Sequence, residues 1–367
     1  DASYKQIVEI SRAMMMEASL IIMDEPTSSL SESETETLFG VIKKLTAKNI
    51  AVVYISHKLD EVMYLSDRIT VIRDGKNIVS RDKSEFTQEQ LIASMIGRPL
   101  QHLYQKEAAE IGETMLEVKN LTRKGVFQDI SFSVRKGEVV GFFGLVGAGR
   151  SEIMRAIFGV DKYQSGEVIL DGKKLRGGDP AAAIRAGIGF CTEDRKKEGL
   201  ALKLSILLNM TLVRLPLLSK LGVINRAKQR AAADEYMESI SIKAPSVHQL
   251  VGNLSGGNQQ KVVVAKWLMM HPKVLIVDEP TRGIDVGSKS EIYGLLSDLA
   301  KQGMAIIVVS SEIEEIMGVC DSVVTISEGK KTAQLTINDQ LTREQVLSCA
   351  LGSKPDWAQS GKDGEAQ

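Results

Sequence analysis

The sequence predicts an α/β fold in which helices cover a parallel sheet. Short apolar strands alternate with amphipathic helices, and one strand passes through a glycine-rich loop directly into a helix. The chain also repeats itself. Asp-Glu-Pro-Thr occurs at residues 24–27 and again at 278–281, each time after an apolar run, and the same offset matches Gly40 with Gly294 and Asp67 with Asp321. Two copies of one unit are therefore expected.

The composition is that of an ordinary globular protein. Of 367 residues, 43% are apolar, and 46 Lys and Arg nearly cancel 47 Asp and Glu, so overall charge gives no support to a nucleic-acid partner or to an anionic membrane surface. The cysteines are odd in number and unpaired in spacing, which favours a reducing compartment. The longest apolar tract, residues 204–224, is interrupted by polar residues and is interpreted as two packed helices or an interaction surface.

The first copy is predicted to contain helices near residues 4–16 and 33–45 and strands at residues 20–24, 51–55 and 68–73. The polar, Glu/Ala/Lys-rich stretch that follows is typical of a linker. The expected organisation is residues 1–100 as the C-terminal part of a first unit, 101–114 as the linker, 115–352 as a second unit and 353–367 as a frayed tail.

A phosphate-binding loop is predicted between a strand at residues 138–143 and a helix at residues 152–158. Glycines let backbone N–H groups turn towards an anion, and the helix N-terminus adds partial positive charge. Arg150 stands where such loops usually carry lysine, and Ser151 is retained as a hydroxyl ligand for Mg²⁺. A glycine-rich turn without a ligand is the alternative. The loop comprises Gly144, Leu145, Val146, Gly147, Ala148, Gly149, Arg150 and Ser151.

Two carboxylates follow the apolar strand at residues 274–277. Ligands of open parallel sheets sit at the C-terminal ends of the strands, where this strand delivers Asp278 and Glu279. We expect Asp278 to hold Mg²⁺ through water and Glu279 to polarise the water that attacks a γ-phosphate. The alternative is an acidic strand end that caps the next helix.

A third motif lies between the loop and the acidic strand, and leads into an apolar helix near residues 262–270. It reads Leu254, Ser255, Gly256, Gly257, Asn258, Gln259 and Gln260. Its N–H groups at a helix start form a second anion site, which one nucleotide cannot share with the first. Taken alone, it would be a serine-glycine turn.

The order of these three motifs resembles the ATP-binding subunits of ATP-binding cassette transporters over residues 115–350. The resemblance implies a P-loop NTPase fold with a parallel sheet core and a helical subdomain, here at residues 200–253, and a sandwich of two cassettes around ATP. The segments "GAGRSE", "EDRKKEGL", "LSGGNQQKV" and "DEPTRGIDVG" are similar to those of bacterial monosaccharide importers of the ribose, galactose and xylose class, which carry tandem cassettes. The expectation is a partial first cassette, starting inside its signature, followed by a complete second one.

This resemblance also implies function and partners. The expected activity is hydrolysis of ATP with Mg²⁺ on the cytoplasmic face of the cell membrane. Membrane permease subunits are the expected partners, together with an indirectly coupled periplasmic or extracellular sugar-binding protein, and no nucleic acid. This truncated chain is expected to be weak or inactive alone.

The resemblance assigns unequal roles to the two copies. The first has Asp24 for metal binding, Glu25 as catalytic carboxylate and His57 as a contact to the γ-phosphate. At the 254 offset, Ser311 replaces this histidine, and Asp1-Ala2-Ser3 replaces the glycines of the signature. The hypothesis is that Asp24, Glu25, His57 and residues 255–260 form the hydrolytic site, whereas Arg150, Ser151, Asp278 and Glu279 mainly bind nucleotide.

Three side chains have alternative interpretations. Glu193 lies where related classes carry a glutamine, and is expected to contact Mg²⁺ or the permease interface, or else to belong to a solvated charge cluster. His57 could be a surface histidine at a strand end. Phe127, upstream of the loop, is a candidate for stacking on adenine or a core residue.

Two other functions remain as alternatives. One is a soluble cassette ATPase acting on nucleic acid or ribosomes, which the neutral charge disfavours. The other is a regulatory module that binds nucleotide without hydrolysing it, which Arg150 and Ser311 would permit.

Overall fold

The computed structural model describes residues 18–27, 30, 32–56, 58–73, 75–96, 104 and 106–353, together with Val8 and Arg12. The chain divides into two compact units, residues 1–102 and 103–367. The predicted helix at residues 4–16 lies outside the described residues apart from Val8 and Arg12, both of which are helical. His57, Asp1-Ala2-Ser3 and the tail after Ser353 also lie outside them.

The described part of the first unit contains two small sheets with separate cores. Strands β1 and β2 pair in parallel, β3 and β4 pair antiparallel, and apolar side chains of α1 pack against the first pair. The elements are β1 (Leu20–Asp24), α1 (Glu32–Ala47), β2 (Ala51–Ile55), α2 (Leu59–Leu65), β3 (Arg68–Arg73), β4 (Lys76–Asp82) and α3 (Gln88–Ile96). All three predicted strands are present with the predicted bounds.

The described part of the second unit contains a six-stranded sheet, a four-stranded sheet and a two-stranded hairpin. Its elements up to the signature are β5 (Thr114–Arg123), β6 (Phe127–Arg135), β7 (Val139–Phe143), α4 (Arg150–Phe158), β8 (Ser165–Leu170), β9 (Lys173–Lys174), α5 (Pro180–Ala186), β10 (Ile188–Cys191), α6 (Ile206–Thr211), α7 (Leu215–Leu218), β11 (Ser219–Lys220), β12 (Val223–Ile224) and α8 (Arg226–Ser239). Those that follow are α9 (Gly256–Leu268), β13 (Val274–Asp278), α10 (Val286–Lys301), β14 (Ala305–Ser310), α11 (Ile313–Val319), β15 (Ser322–Ser327), β16 (Lys330–Thr336) and α12 (Arg343–Ala350).

The central sheet has the strand order β10-β13-β14-β7-β15-β16. Its first five strands are parallel, and β16 is antiparallel to β15. Every residue of β7, β13 and β14 is buried, as expected for parallel strands covered on both faces. The predicted parallel sheet is thus confirmed, and the loops after β7 and β13 lie at the same edge.

The second sheet was not predicted from the sequence. Its order is β6-β5-β8-β9, and all its strands are antiparallel. Phe127 begins β6 and is only 3% exposed, so the structure supports its interpretation as a core residue.

Two other regions are more detailed than the sequence suggested. Residues 200–253 contain three α-helices and a short 3-10 helix (Val251–Asn253), but also the β11–β12 hairpin. The described part of the predicted linker packs on the second unit, since Tyr104 stacks on Tyr293 and Lys106 pairs with Asp321 at 2.8 Å. No helix among the described residues has the length and apolarity needed to span a bilayer.

Candidate functional site

The predicted phosphate loop connects β7 to α4 at the C-terminal edge of the central sheet. Gly147 and Gly149 have φ angles of +82° and +97°, a region that favours glycine. A Cβ on Gly144 would lie 2.3 Å from the carbonyl oxygen of Ile326, so only glycine fits there. The side chains of Leu145 and Val146 are exposed. The loop therefore offers backbone and helix N-terminus, rather than side chains, to a ligand.

Arg150 is buried and already engaged. Its guanidinium donates a hydrogen bond to the backbone carbonyl of Ser310, and a second nitrogen lies 3.5 Å from Oε1 of Glu279. Ser310 ends β14, the strand beside β7, and Glu279 follows β13, the next strand along. This arrangement draws the guanidinium towards the acidic strand end, where a loop lysine would extend as a freer point charge.

Asp278 ends β13 and is 2% exposed. Burial raises its pKa to about 7, against a hydrogen bond from Ser151, and the nearby carboxylates of Glu193 and Glu279 raise the pKa further. Oδ1 of Asp278 has no hydrogen-bond partner among the described residues. A buried carboxylate oxygen without a partner is costly, and a cation would satisfy it.

Glu279 follows with a strained backbone. Its φ is +47°, and its N–H donates to the carbonyl of Val309 at 2.8 Å, which fixes its backbone beside the neighbouring strand. The hydroxyl of Ser311 donates to Oε2 at 3.2 Å. Burial raises the pKa of Glu279, although Arg150 and Ser311 oppose that shift. The structure thus brings together four predicted residues: Arg150, Ser151, Asp278 and Glu279.

Glu193 lies on the loop after β10 and forms an ion pair with Arg282. It is close enough for its charge to raise the pKa values of Asp278 and Glu279. Its carboxylate therefore borders the site, but its direct partner is a cation of the chain itself.

Arg195, two residues further on, was missed by the sequence analysis as an individual site residue. Its guanidinium donates to the backbone carbonyls of Arg282 and Gly283, the second at 2.9 Å. A Cβ on Gly256 would lie 2.8 Å from the same guanidinium. Arg195 thus joins the loop after β10 to the segment after β13 and to the start of the signature helix. A charged run such as Glu-Asp-Arg-Lys-Lys gives no signal that singles it out.

The predicted signature opens α9 directly, with Ser255 as its N-cap, so this helix begins six residues earlier than the predicted 262–270. The exposed Ser255 hydroxyl accepts from Nδ2 of Asn258 at 2.9 Å, and the side-chain Oδ1 of Asn258 accepts from the backbone N–H of Lys243 at 2.7 Å. Gln259 is buried and donates to the carbonyls of Val251 and Leu254. Leu254, Gly257 and Gln260 are buried as well, which leaves Ser255 and the helix start facing outwards.

Gly257 explains why the motif needs a second glycine. A Cβ there would lie 2.2 Å from Oγ of Ser288 on α10. The close approach of α9 and α10 is therefore one structural reason for the Gly-Gly pair, independent of any ligand.

In the first unit, Asp24 ends β1 and is exposed, and Glu25 follows it. Glu25 repeats the geometry of Glu279: its φ is +46°, and its N–H donates to the carbonyl of Ile55 at 2.9 Å. The duplication therefore extends to backbone conformation and to an inter-strand hydrogen bond. His57 falls outside the described residues, so its contact with this site stays a prediction.

A second conserved feature of the duplication was also missed. Thr27 donates to Glu61 at 2.7 Å, and Thr281, at the same offset, donates to Glu315 at 3.1 Å. Both pairs are buried, and each joins the threonine of the acidic motif to the second helix after the acidic strand. Aligning every residue at the 254 offset would have found them, because both letters repeat.

The residues at the strand end fit a Mg²⁺ ion. Mg²⁺ prefers a few oxygen ligands completed by water and substrate phosphates, which the Ser151 hydroxyl and the unpartnered Asp278 oxygen would supply. Within the described residues, no group of three or more His, Cys, Asp or Glu side chains is placed to hold a metal. A metal here would therefore need the nucleotide as a further ligand.

Comparison with known sequences finds close relatives. A model of the ABC transporter family matches residues 127–282. A putative ribose/galactose/methyl galactoside import ATP-binding protein of Geobacillus kaustophilus is 46% identical over 95% of this chain and 69% of its own length. The ribose import ATP-binding protein RbsA of Bacillus licheniformis is 47% identical over 95% of this chain and 71% of its own.

Solved structures match the fold at lower identity. The dimer of the ATP-binding cassette MJ0796 with ADP and Pi has a TM-score of 0.54, at 24% identity, and covers 61% of this chain and 99% of that one. CbiO1 of Clostridium perfringens, part of the ABC transporter complex cbiONQ, has a TM-score of 0.55, at 24% identity, and covers 64% and 93%. These likenesses show a shared P-loop cassette fold.

Proposed function

We propose, because this chain belongs to the ABC transporter family of sugar-import ATP-binding proteins, that it binds and hydrolyses ATP to energise the import of a monosaccharide through a membrane permease. The observation that carries this proposal is the meeting of loop and acidic strand end. Ser151 hydrogen-bonds to Asp278, and Arg150 lies 3.5 Å from Glu279. A phosphate cradle beside two carboxylates is what phosphoryl transfer to water requires.

The roles of the residues follow from their positions. The phosphates of ATP would lie against the N–H groups of residues 144–151, with Ser151 and Asp278 holding Mg²⁺ and Glu193 at the border of that site. Bound Mg²⁺ would neutralise charge on the phosphates. Glu279 would accept a proton from the attacking water, for which its carboxylate must part from Arg150 and Ser311.

We infer that the two copies divide the work. In the second site, Arg150 of the phosphate loop pairs with Glu279, the expected base. Because this ion pair occupies the base, the site is better suited to binding ATP than to hydrolysing it. In the signature at residues 255–260, Ser255 and the start of α9 face outwards and are suited to the γ-phosphate of a nucleotide held elsewhere. We assign that nucleotide to a site containing Asp24, Glu25 and His57.

The remaining components come from the family. The permease would dock from the membrane, and a periplasmic or extracellular sugar-binding protein would deliver the sugar to it. This subunit would then sit on the cytoplasmic face of the membrane. The neutral overall charge supports these partners over nucleic acid.

Sugar uptake in a strain lacking this subunit tests the proposal. Uptake of one radiolabelled sugar among ribose, galactose and xylose should be lost and should return with the wild-type gene. A variant at an exposed lysine away from the site, Lys173→Glu, should restore uptake, whereas Asp278→Asn should not restore it fully. Unchanged uptake of every sugar in the deletion strain would refute an import function.

A further inference from the structure

The β11–β12 hairpin carries an apolar tip that the other described residues leave uncovered. Leu221 at the tip is 97% exposed, Val223 is 73% exposed, and Leu217, just before the hairpin, is 69% exposed. Single exposed apolar residues are common, but here they fall within eight residues together with the exposed Ile224. These four side chains form what we call the hairpin tip.

The backbone at the tip makes its leucine unusual. Lys220 pairs with Val223, so Leu221 and Gly222 form a two-residue turn, with φ angles of +52° and +80°. Such turns favour Asn, Asp or Gly at both positions, because other side chains are strained at positive φ. Leu221 is thus in a disfavoured conformation and has almost no contact that would compensate. An apolar side chain that is both exposed and on a strained backbone points to a contact with another molecule.

Hydrogen bonds of Asn225 anchor the base of the hairpin. The N–H of Asn225 donates to the carbonyl of Leu218 at 2.9 Å, and the Asn225 side chain caps α8. The hairpin is therefore anchored at one end by α7 and at the other by α8, and its tip projects from them.

The charges of the segment around the hairpin indicate the kind of partner that the hairpin tip contacts. Between Glu198 and Asp234 the chain has no acidic residue, although the whole protein is nearly neutral. Lys220 and Val223 are direct cross-strand partners, so a cation and an apolar side chain project from the same face of the hairpin. Arg226 and Lys228 on the first turn of α8 are exposed. The cations of this segment are Lys203, Arg214, Lys220, Arg226, Lys228 and Arg230.

We propose that the hairpin tip inserts into the headgroup region of a bilayer containing anionic phospholipids. A bilayer supplies lipid phosphates for Lys220 and Arg226 and, just below them, an apolar layer for Leu221 and Val223. The tip is also small. Four side chains fall well short of the roughly 20 to 30 residues on each side of a typical stable protein interface. The contact goes beyond sugar import, since it would hold the subunit at the membrane without any permease.

Vesicles without protein provide the test. The full chain should cosediment with phosphatidylcholine vesicles that contain phosphatidylglycerol, and much less with pure phosphatidylcholine. In Leu221→Trp, the new tryptophan should shift its emission to shorter wavelength on the anionic vesicles. Val160→Trp, at another exposed apolar position, is the matched probe and should not shift.

Charge reversal locates the contact. Lys220→Glu/Arg226→Glu should weaken binding to the anionic vesicles at least about tenfold, since each basic residue near such a surface contributes appreciably. The control Lys173→Glu/Arg176→Glu also reverses two exposed cations but lies on a different sheet and the loop after it, and should bind like wild type.

Three results would overturn the proposal. They are no binding to anionic vesicles, equal loss in both double variants, and an effect of Lys220→Glu/Arg226→Glu that appears only when permease is present in the vesicles. The last result would assign the tip to a protein partner. None of these results would change the outcome of the sugar-uptake test, so the membrane contact and the import function can be refuted independently.

Discussion

Glu61 and Glu315 occupy matching positions in the two copies, yet their pKa values shift in opposite directions. Burial alone would raise the pKa of Glu61, but hydrogen bonds from Tyr54 and Thr27, together with Lys58 at 3.1 Å, outweigh burial and lower it. Burial raises the pKa of Glu315 to about 7, and only weaker contacts oppose it. At the position of Lys58, the second copy has Glu312, whose charge raises the pKa further. Tyr54, which donates to Glu61 at 2.7 Å, is also replaced by Val308, so the second copy lacks both a hydrogen-bond donor and a cation that the first copy has.

Glu315 should make the second unit less stable as pH rises. Its folded-state pKa lies above its unfolded value, so the protonated form is favoured in the fold, and stability is lost as pH rises towards and through 7. Between pH 5 and 8 this loss is about 2 kcal/mol for a shift of this size. In Glu315→Gln that loss should be absent, which urea unfolding of the second unit at several pH values would measure.

Glu61→Gln is the matched control with the opposite sign. The folded-state pKa of Glu61 is lowered, so its contribution is present at neutral pH and is lost as pH falls. The variant should therefore destabilise the first unit most at neutral pH. If both substitutions gave the same pH dependence, the electrostatic comparison of the two copies would be wrong.

Asp278 predicts that Mg²⁺ and a proton compete at the nucleotide site. With a pKa of about 7, raised by burial, this carboxyl is largely protonated at pH 6 and largely ionised at pH 8. Mg²⁺ binds the ionised form, so the gain in ATP affinity on adding Mg²⁺ should be larger at pH 8, by up to about tenfold. Nucleotide titrations with Mg²⁺ and with a chelator would measure this gain.

Asp278→Asn should bind ATP with little dependence on Mg²⁺ at either pH. A pH-independent Mg²⁺ effect in the wild type would mean that Asp278 is not the titrating ligand.

At the scale of elements, the packing of α9 on α10 depends on Gly257. Its missing Cβ would lie 2.2 Å from Oγ of Ser288 and 2.4 Å from its Cβ, so Gly257→Ala should cost about 1–3 kcal/mol as overpacking. Adding Ser288→Gly should recover much of this, because both clashing atoms are then removed. Thermal unfolding of the single and double variants would measure the two effects.

Gly40→Ala is the control substitution. Gly40 lies inside α1, and a Cβ there would meet nothing within 4 Å, so alanine should stabilise the first unit by up to about 1 kcal/mol through helix propensity. Stabilisation by Gly257→Ala as well would show that propensity outweighs the predicted clash.

The elements predicted from the sequence are those with a strong local pattern. Strands such as Val274–Asp278 are uninterrupted apolar runs that end in the repeated acidic motif, so their bounds are read directly. The β5–β6–β8–β9 sheet was missed because its pattern is broken: the β5–β6 pairing shifts register three times between Thr114 and Arg123. A strict period of two residues does not survive such bulges.

Site residues that lie in local sequence motifs could be predicted, whereas a site residue defined by contacts distant in sequence could not. Arg150, Ser151, Asp278 and Glu279 stand next to glycines or strand ends that mark them. Arg195 acts through backbone carbonyls of residues 282 and 283, nearly ninety positions away, and nothing near it in sequence indicates that contact. Side chains that bind distant backbone can be assigned only from a structure.

At the scale of the whole molecule, the duplication preserves geometry more strictly than chemistry. Glu25 and Glu279 share a left-handed backbone and the same inter-strand hydrogen bond. The partners of Glu279 include Arg150 and Ser311. The Glu279 carboxylate must part from Arg150 before it can accept a proton from water, so equal backbones do not imply equal activity.

This difference predicts unequal effects of two identical substitutions. In the assembled transporter, Glu25→Gln should abolish most ATP hydrolysis, by at least about a hundredfold, because it removes the expected base of the hydrolytic site. Glu279→Gln should reduce hydrolysis by only a few fold, since its site is assigned mainly to binding. Phosphate release by the two variants, at matched ATP occupancy, is the measurement.

The Thr27–Glu61 and Thr281–Glu315 contacts lie beyond these carboxylates in both copies, so neither substitution should unfold its unit. Equal losses would show that both sites turn over and that the division of labour between the copies does not exist.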